Sequence, residues 1–323
     1  MIGKSGYRFS EKIMLKQKDG AGWRFNKKPF RSSARPFGPV NPQQPYLRTF
    51  AAPAMLCAFG LVAALAAVLQ FSLRAYVPGS LDPGGFTLAN FSNLLRPLYA
   101  RVFLDTVMIC FLTAVSTLIV GYPLAYALVR SQNAIVKSIL LVIVVTPLFL
   151  GEVVRTYSWI IVLGNNGFIN SLLLNLGIIR QPLQFMFTTF GVVVALVHVT
   201  MPVMVIMLAA ALSHIDRDYQ RAAASLGAGP VRVFLTVTLP LSMPGVLAGV
   251  TTAFAWTFSA FATPQLIGGG RVNMISNLVY QLGFASFNFP FAASLCVAGL
   301  ALTIVVLSAL RLASRGLEAI EPH

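Results

Sequence analysis

DRDYQRAAASLGAGPVRVFLTVTLP, residues 216–240, is the stretch from which the rest of this sequence is read. It is a polar, basic-leaning segment set between two long apolar runs. Asp216 is suited to cap a short helix, and Asp218 falls in its first turn, where a carboxylate complements the helix dipole. Tyr219, Ala222, Ala223 and Leu226 follow at i, i+3, i+4 and i+7, a spacing that predicts one small apolar stripe on a single helix face. Gly227 marks the helix stop, and Pro230 suits the first position of a second short helix. Val231, Phe234 and Leu235 give that second helix an apolar side, and Leu239 and Pro240 precede the next apolar run. The two alanines let another backbone come close, while Tyr219 and Leu226 are large enough to fill a groove. Two readings stand: a knob that docks on a partner protein, and an ordinary connecting loop.

The flanking runs decide the class. Of 323 residues, 57% are hydrophobic and 10% charged, with a mean hydropathy of +0.77, which excludes a soluble domain with an ordinary polar surface. Several runs exceed the roughly 18 apolar residues that cross a bilayer, and backbone groups in lipid must be satisfied within the chain. The expectation is an all-α polytopic membrane protein. Its six transmembrane helices are expected near residues 50–73, 102–128, 138–163, 185–212, 241–262 and 291–310.

One of these runs is broken, and another has a proline inside it. Pro147 interrupts the third, and Glu152 and Arg155 sit in the same apolar stretch, where a charge costs roughly 2.5–3.5 kcal/mol at the bilayer centre. They line a solute path together with Tyr157 and Trp159, or they pair with each other at the outer interface, being three residues apart on one helix; Tyr157 and Trp159 are equally suited to interfacial anchoring. Pro202 and His198 lie in the fourth run, where a lone histidine is read as a hydrogen-bonded packing residue. GNNGFINSLLLNLGIIRQPLQ (residues 164–184) and TPQLIGGGRVNMISNLVYQLGFASFNFP (residues 263–290) read as outer loops with short helical turns.

Residues 1–49 are a different material. Eleven Lys and Arg face only Glu11 and Asp19, and prolines recur at 29, 36, 39, 42 and 45. No apolar segment follows the initial Met, so no signal peptide is read here. The composition fits a disordered basic arm against anionic lipid on the cytoplasmic side, a topology signal rather than a nucleic-acid contact. Arg130, Lys137, Arg217, Arg221, Arg232, Arg311 and Arg315 join the arm on one side of the spans. Arg74, Arg96, Arg101, Arg155, Arg180 and Arg271 fall on the other. By the positive-inside bias both termini, including a short tail at 316–323, and the 213–240 hairpin are cytoplasmic.

The chemistry that is missing narrows the function. There is no G-x-x-x-x-G-K-[ST] loop for ATP phosphates, no H-E-x-x-H, no G-x-S-x-G and no converging set of titratable groups. Cys57, Cys110 and Cys296 lack C-x-x-C spacing and read as small buried hydrophobes. No catalytic residue, cofactor or metal site is expected. An ion-coupled secondary transporter is the rival class, but it would usually show internal repeats, and none is found.

RAAASLGAGPVRVFLTVTLPLSMPGVLAG (residues 221–249) closely resembles the EAA motif of inner-membrane permeases of ABC importers, E-A-A-x(3)-G followed at fixed distance by L-P. Ala222, Ala223, Gly227, Leu239 and Pro240 match, as do Pro244, Gly245, Ala248 and Gly249 in the usual continuation. VRTYSWIIVLGNNGFINSLLLNLGII (residues 154–179), ATPQLIGGG and FPFAASL are similar to the spermidine/putrescine permease family, first-subunit type. The likeness covers about residues 50–315. It implies a type I importer permease fold in a bacterial inner membrane. It also implies pairing with a second permease, two ABC ATPase subunits beneath, and a periplasmic binding protein that delivers solute. In that family the segment corresponding to Tyr219, Arg221, Ala222, Ala223, Leu226, Gly227, Phe234, Leu239 and Pro240 couples the pore to the ATPase.

Two positions depart from the family pattern. Arg221 stands where the motif has glutamate, so the charge offered to an ATPase is reversed. Asn288-Phe289-Pro290 lacks the acid often found before that proline, and the outer half offers only Asp82, Asp105 and Glu152. A polyamine path calls for carboxylates to offset desolvated ammonium groups, so an amino-acid derivative, an opine or a phosphonate competes with a polyamine as solute.

Overall fold

Out of water, an uninterrupted apolar run satisfies its amides most simply as continuous helix. The computed structural model, which describes residues 16–19, 22–25, 45–80, 82 and 84–318, is built largely of such helices. The chain divides into two units, Met1–Phe59 and Gly60–His323. In the first, strands β1 (Lys16–Asp19) and β2 (Gly22–Phe25) pair antiparallel, Lys16 opposite Phe25 and Asp19 opposite Gly22. Helix α1 (Pro45–Ser72) starts there, five residues ahead of the expected boundary. The rest of the basic arm, read above as disordered, lies outside the described residues, as does the tail beyond 318.

The second unit carries the helix body. After α1 come α2 (Ala89–Leu94), α3 (Pro97–Arg130), α4 (Ala134–Phe149), α5 (Glu152–Leu163) and α6 (Phe168–Asn175). Then follow α7 (Thr189–Ser213), α8 (Arg217–Ser225), α9 (Pro230–Val233), α10 (Leu239–Ser259), α11 (Ala262–Gly268), α12 (Ile275–Tyr280) and α13 (Phe289–Glu318). Local signals set several starts: Pro97 opens α3, the Asn133 carboxamide accepts from Ile135 N–H at 2.9 Å, and the Thr188 hydroxyl accepts from Gly191 N–H at 3.2 Å. Among the described residues five helices are long and apolar enough to cross a membrane, and the bent pair described below makes a sixth span if counted as one.

Helices α3, α7 and α10 pack mutually at the centre. Small residues make the close approach possible, as expected where lipid provides no drive to associate and dispersion must hold helices together. A β-carbon on Gly245 would overlap the Ala211 methyl of α7, and one on Gly249 would overlap the Met204 thioether. Buried hydroxyls bridge α3 to both partners, Thr117 to Thr200 of α7 at 2.8 Å and Tyr122 to Ser242 of α10 at 2.7 Å. Interhelical bonds of this kind contribute about 0.6–2 kcal/mol each in membranes. Along α1, by contrast, the apolar side chains from 51 onward lie almost wholly exposed on the single chain, with Ser72 alone buried.

The structure corrects three expectations and gives the geometry of the break expected at Pro147. The third span is two helices, α4 and the segment beginning at Glu152, that meet at 111°; Pro147 and Gly151 stand at the break. The fifth span begins at Pro230 rather than near 241, because α9 runs through a π-helical turn at Phe234–Thr238 directly into α10. Pro240 has no N–H for the Thr236 carbonyl and would crowd it in a regular α-turn; the wider turn relieves this, with Leu239 N–H bonded to the Phe234 carbonyl.

Residues 263–290, read above as a loop with short helical turns, form a packed insertion. Ile267 and Met274 are fully buried, because the polar groups of the segment find partners: Asn277 Nδ2 donates to Gln265 Oε1 (2.8 Å), Ser276 Oγ to the Ala260 carbonyl (2.7 Å), and Ile275 N–H to Thr106 Oγ1 (3.0 Å). Of the cysteines, only Cys110 is buried; Cys57 and Cys296 are exposed on the single chain.

The α7–α10 crossing yields a direct test. Gly245→Val overpacks it and should cost about 1–3 kcal/mol, read as a lowered melting temperature of the detergent-purified protein. Gly60→Ala on α1, where nothing lies within 4 Å, should not destabilise.

Candidate functional site

The 213–240 hairpin is an exposed helix on a fixed base. Asp216 caps α8 by accepting from Asp218 N–H at 3.0 Å, and no residue of α8 is buried. Tyr219 is 61% exposed and Leu226 89%; Ala222 lies open beside them and Ala223 is half-buried. Large apolar side chains held this far out on a helix end are what a protein partner covers. Gly227 turns the chain at φ +85°, a conformation that suits glycine, and no atom stands within 4 Å of where its β-carbon would lie. Arg221, at the motif's glutamate position, pairs with Asp218 at 3.0 Å with both side chains about three-quarters exposed. The hairpin therefore brings a counter-ion for it, and an exposed pair of this kind adds little stability.

The same sequence motif splits in space. Phe234, Leu239 and Pro240 are partly buried at the base, so they carry the hairpin instead of presenting a surface. The Phe234 ring stands edge-on to Tyr122 (5.3 Å between centroids) and Tyr126 (6.4 Å) of α3. Gln220 Nε2 donates to Thr238 Oγ1 at 2.8 Å, tying α8 to the π-turn. Two arginines cross at the hairpin's start: Arg130 Nη2 donates to the Ile215 carbonyl and Arg217 Nη2 to the Arg130 carbonyl, each at 3.1 Å. The second of these caps the carbonyl end of α3, a favourable place for a cation.

Sequence reasoning counted both arginines only as topology signals and missed Tyr122, Tyr126, Gln220 and Thr238. Tyr122 and Tyr126 at i, i+4 near the C-terminal end of α3 are the one signal that pointed to a socket there.

The four residues suggested for a solute path are likewise divided. Glu152 and Tyr157 are exposed on the single chain, Trp159 is half-buried, and Arg155 is only 7% exposed. The Glu152–Arg155 pair is not formed. Arg155 Nη1 instead donates to the Pro147 carbonyl at 2.8 Å, closing the end of α4 at the bend where the helical ladder has run out. Trp159 Nε1 donates to His198 Nδ1 at 3.2 Å with the rings 5.5 Å apart, so His198 is the packing residue expected. Thr156 and Thr263 hydroxyls lie 3.2 Å apart and join α5 to the inserted α11. Among the described residues no group of three or more His, Cys, Asp or Glu is placed to hold a metal ion.

The family model described as "Binding-protein-dependent transport system inner membrane component" matches residues 85–319, which include the whole hairpin. The chain is 32% identical over 221 residues to the spermidine/putrescine transport system permease protein PotB of Escherichia coli K12, covering 68% of this chain and 79% of that protein. It is 29% identical over 221 residues to the inner membrane ABC transporter permease protein YdcU of the same organism, covering 64% and 70%. It is 33% identical over 198 residues to the molybdenum transport system permease protein ModB of Mycobacterium bovis, covering 61% and 71%. A chain of a bacterial alginate ABC transporter, solved with an alginate pentasaccharide-bound periplasmic protein, shares the fold at a TM-score of 0.71 and 16% identity, over 84% of this chain and 94% of that one.

Arg155 makes its position testable. Arg155→Met keeps the volume but leaves the Pro147 carbonyl without its donor, and a stranded buried acceptor costs about 1–3 kcal/mol. Glu152→Gln should change stability by less than about 0.5 kcal/mol. Equal losses in thermal melts of the two variants would restore the ion-pair reading.

Proposed function

Because the chain belongs to the family of binding-protein-dependent transport system inner membrane components, we propose that its 213–240 hairpin is the docking knob for the ATPase of the importer. The exposed stripe of Tyr219, Ala222 and Leu226, standing clear of the membrane helices on a capped turn, is the observation that carries this reading. Val231 and Leu235 extend the apolar surface across the Gly227 turn. A helix presenting one apolar face fits a groove, the helix-in-groove mode of recognition.

In this reading the chain forms half of a pore with a second permease, and two ABC ATPases sit beneath the pair. ATP is hydrolysed on those separate subunits, since the chain has no phosphate-cradling loop. Both termini and the hairpin face the cytoplasm, on the Lys and Arg distribution. Closure of the ATPases pushes the knob and swings the helix body between inward- and outward-open states, a rigid-body alternation of access.

The solute proposed is a polyamine such as spermidine or putrescine, on the likeness to PotB. Asp105 and Glu152 are the carboxylates for it, both exposed on the single chain where a second permease would complete a path. Asn288, standing where an acid was sought, accepts from Phe291 N–H at 3.1 Å and so serves as a helix cap. Competition of spermidine, an opine and a phosphonate for uptake decides the solute without touching the docking assignment.

Purification of the tagged chain should bring an ATPase with it, and hydrolysis should rise when loaded binding protein is added. Gly227→Trp should abolish that rise, because an indole at the turn obstructs the groove and an L-residue at positive φ costs about 1–3 kcal/mol. Arg221→Glu should leave the complex intact. Normal transport by the Gly227→Trp protein sinks the docking assignment.

A further inference from the structure

The groove at the foot of the hairpin has no part in docking as described so far. It is a cavity of about 270 Å³ lined by Tyr126 of α3, Gln220 and Ala224 of α8, Ala228 of the turn, and Phe234 and Thr238 of the π-turn. A water molecule takes about 30 Å³ of liquid, so this space is far larger than a packing flaw. It lies where α8 is held off the body. Gln220 props the helix through the Thr238 hydroxyl, and the crossed Arg130 and Arg217 fix its start. The methyls of Ala224 and Ala228 are all that α8 and its turn put into the gap besides Gln220. The rest of the lining is Tyr126 of α3 with Pro230, Val233 and Phe234, so movement of α8 toward α3 closes on the Tyr126 and Phe234 rings.

That ring touches α3 and, through Tyr122, is linked to α10. Its edge contacts reach Tyr122 and Tyr126 of α3, and Tyr122 is bonded in turn to Ser242 of α10 at 2.7 Å. Phe234 also begins the π-turn, where the i to i+4 ladder is interrupted and the helix can change its local twist without breaking bonds further along.

We propose that Phe234 is the positioning residue through which displacement of the docked hairpin reaches α3 and α10, and that the groove is the travel of α8. In a coupling cycle the ATPases would drive α8 into the gap and the ring would pass the load to the tyrosine pair. The π-turn would then absorb the difference in rotation between the hairpin and the long helix it continues into. The proposal rests on the docking reading, because it needs a push from outside the chain.

The full complex with its ATPases, second permease and binding protein, reconstituted in vesicles, supplies the test. The readout is the rise in ATP hydrolysis when the binding protein is added as isolated, carrying the solute it captured in the cell. Phe234→Ala is expected to reduce that rise by about tenfold, within the usual range of coupling between distant sites, and Phe234→Tyr to restore it. Ala224→Leu, which fills the groove from an exposed helix that needs no repacking, should reduce the rise in the same way. The double variant Phe234→Ala with Tyr126→Ala should fall no further than the worse single, since both remove one contact. Should Phe234→Ala fail to accumulate, Ala224→Leu alone decides. A parent-level rise in Ala224→Leu, or in Phe234→Ala with its ATPase bound, overturns the joint and leaves docking standing. A parent complex that retains no ATPase overturns the docking reading itself.

Discussion

Hydrocarbon offers no hydrogen bonds, and most of what distinguishes this chain follows from that. Most buried polar groups are answered from within, although the Thr113 and Thr257 hydroxyls find no partner among the described residues. Thr117 meets Thr200, Tyr122 meets Ser242, and Asn277 meets Gln265. Arg155 is answered by a single backbone carbonyl at a helix end instead of by a carboxylate. The same demand shapes the backbone: Pro240 withholds one amide, and the helix widens over Phe234–Thr238 rather than stopping. Small residues complete the arrangement: Gly245 and Gly249 bring α10 close to α7, while the hydroxyl bridges tie α3 to both.

At the hairpin the constraint is reversed. Helix α8 has nine residues, too few to be stable alone in water, and none of them is buried. Its order comes from its ends, where Asp216 caps it, Gly227 turns it, and Gln220 and Arg217 tie it to the π-turn and to α3. A helix held in this way keeps Tyr219 and Leu226 outside while staying connected to α3 and to the π-turn that opens α10. Exposure and stiffness together are what a site for transmitted force requires.

The two interruptions of the body belong together. The bend between α4 and α5 and the inserted segment from α11 to α12 would each leave non-helical backbone without partners. They pack on one another, α11 against α5, with Thr156 and Thr263 in contact and Arg155 closing the end of α4. Irregular backbone is tolerated among membrane helices where protein covers it. The 32% identity to a permease named for spermidine and putrescine runs over 221 residues, 68% of the chain. The local geometry explains why charged and glycine-rich stretches can lie within an otherwise apolar body.

Hydropathy and spacing were enough for the class of fold, the approximate helix positions, and the capped helix with its stripe at 219, 222, 223 and 226, since period and caps are local properties of the chain. The reading of residues 263–290 as a loop failed because glycines and amides look solvent-exposed until their partners are known, and those partners sit at Thr106, Ala260 and Gln265. Likewise Glu152 and Arg155 look like a pair in one dimension, but the backbone bend offers Arg155 a carbonyl at closer reach. Phe234 carried the same sequence signal as the exposed stripe, and only the packing of α3 against the π-turn turned it inward. Local sequence determined which segments are helical and which face of α8 is apolar; tertiary structure decided which polar groups are satisfied inside and which way each motif residue faces, because those depend on contacts between residues far apart in the chain.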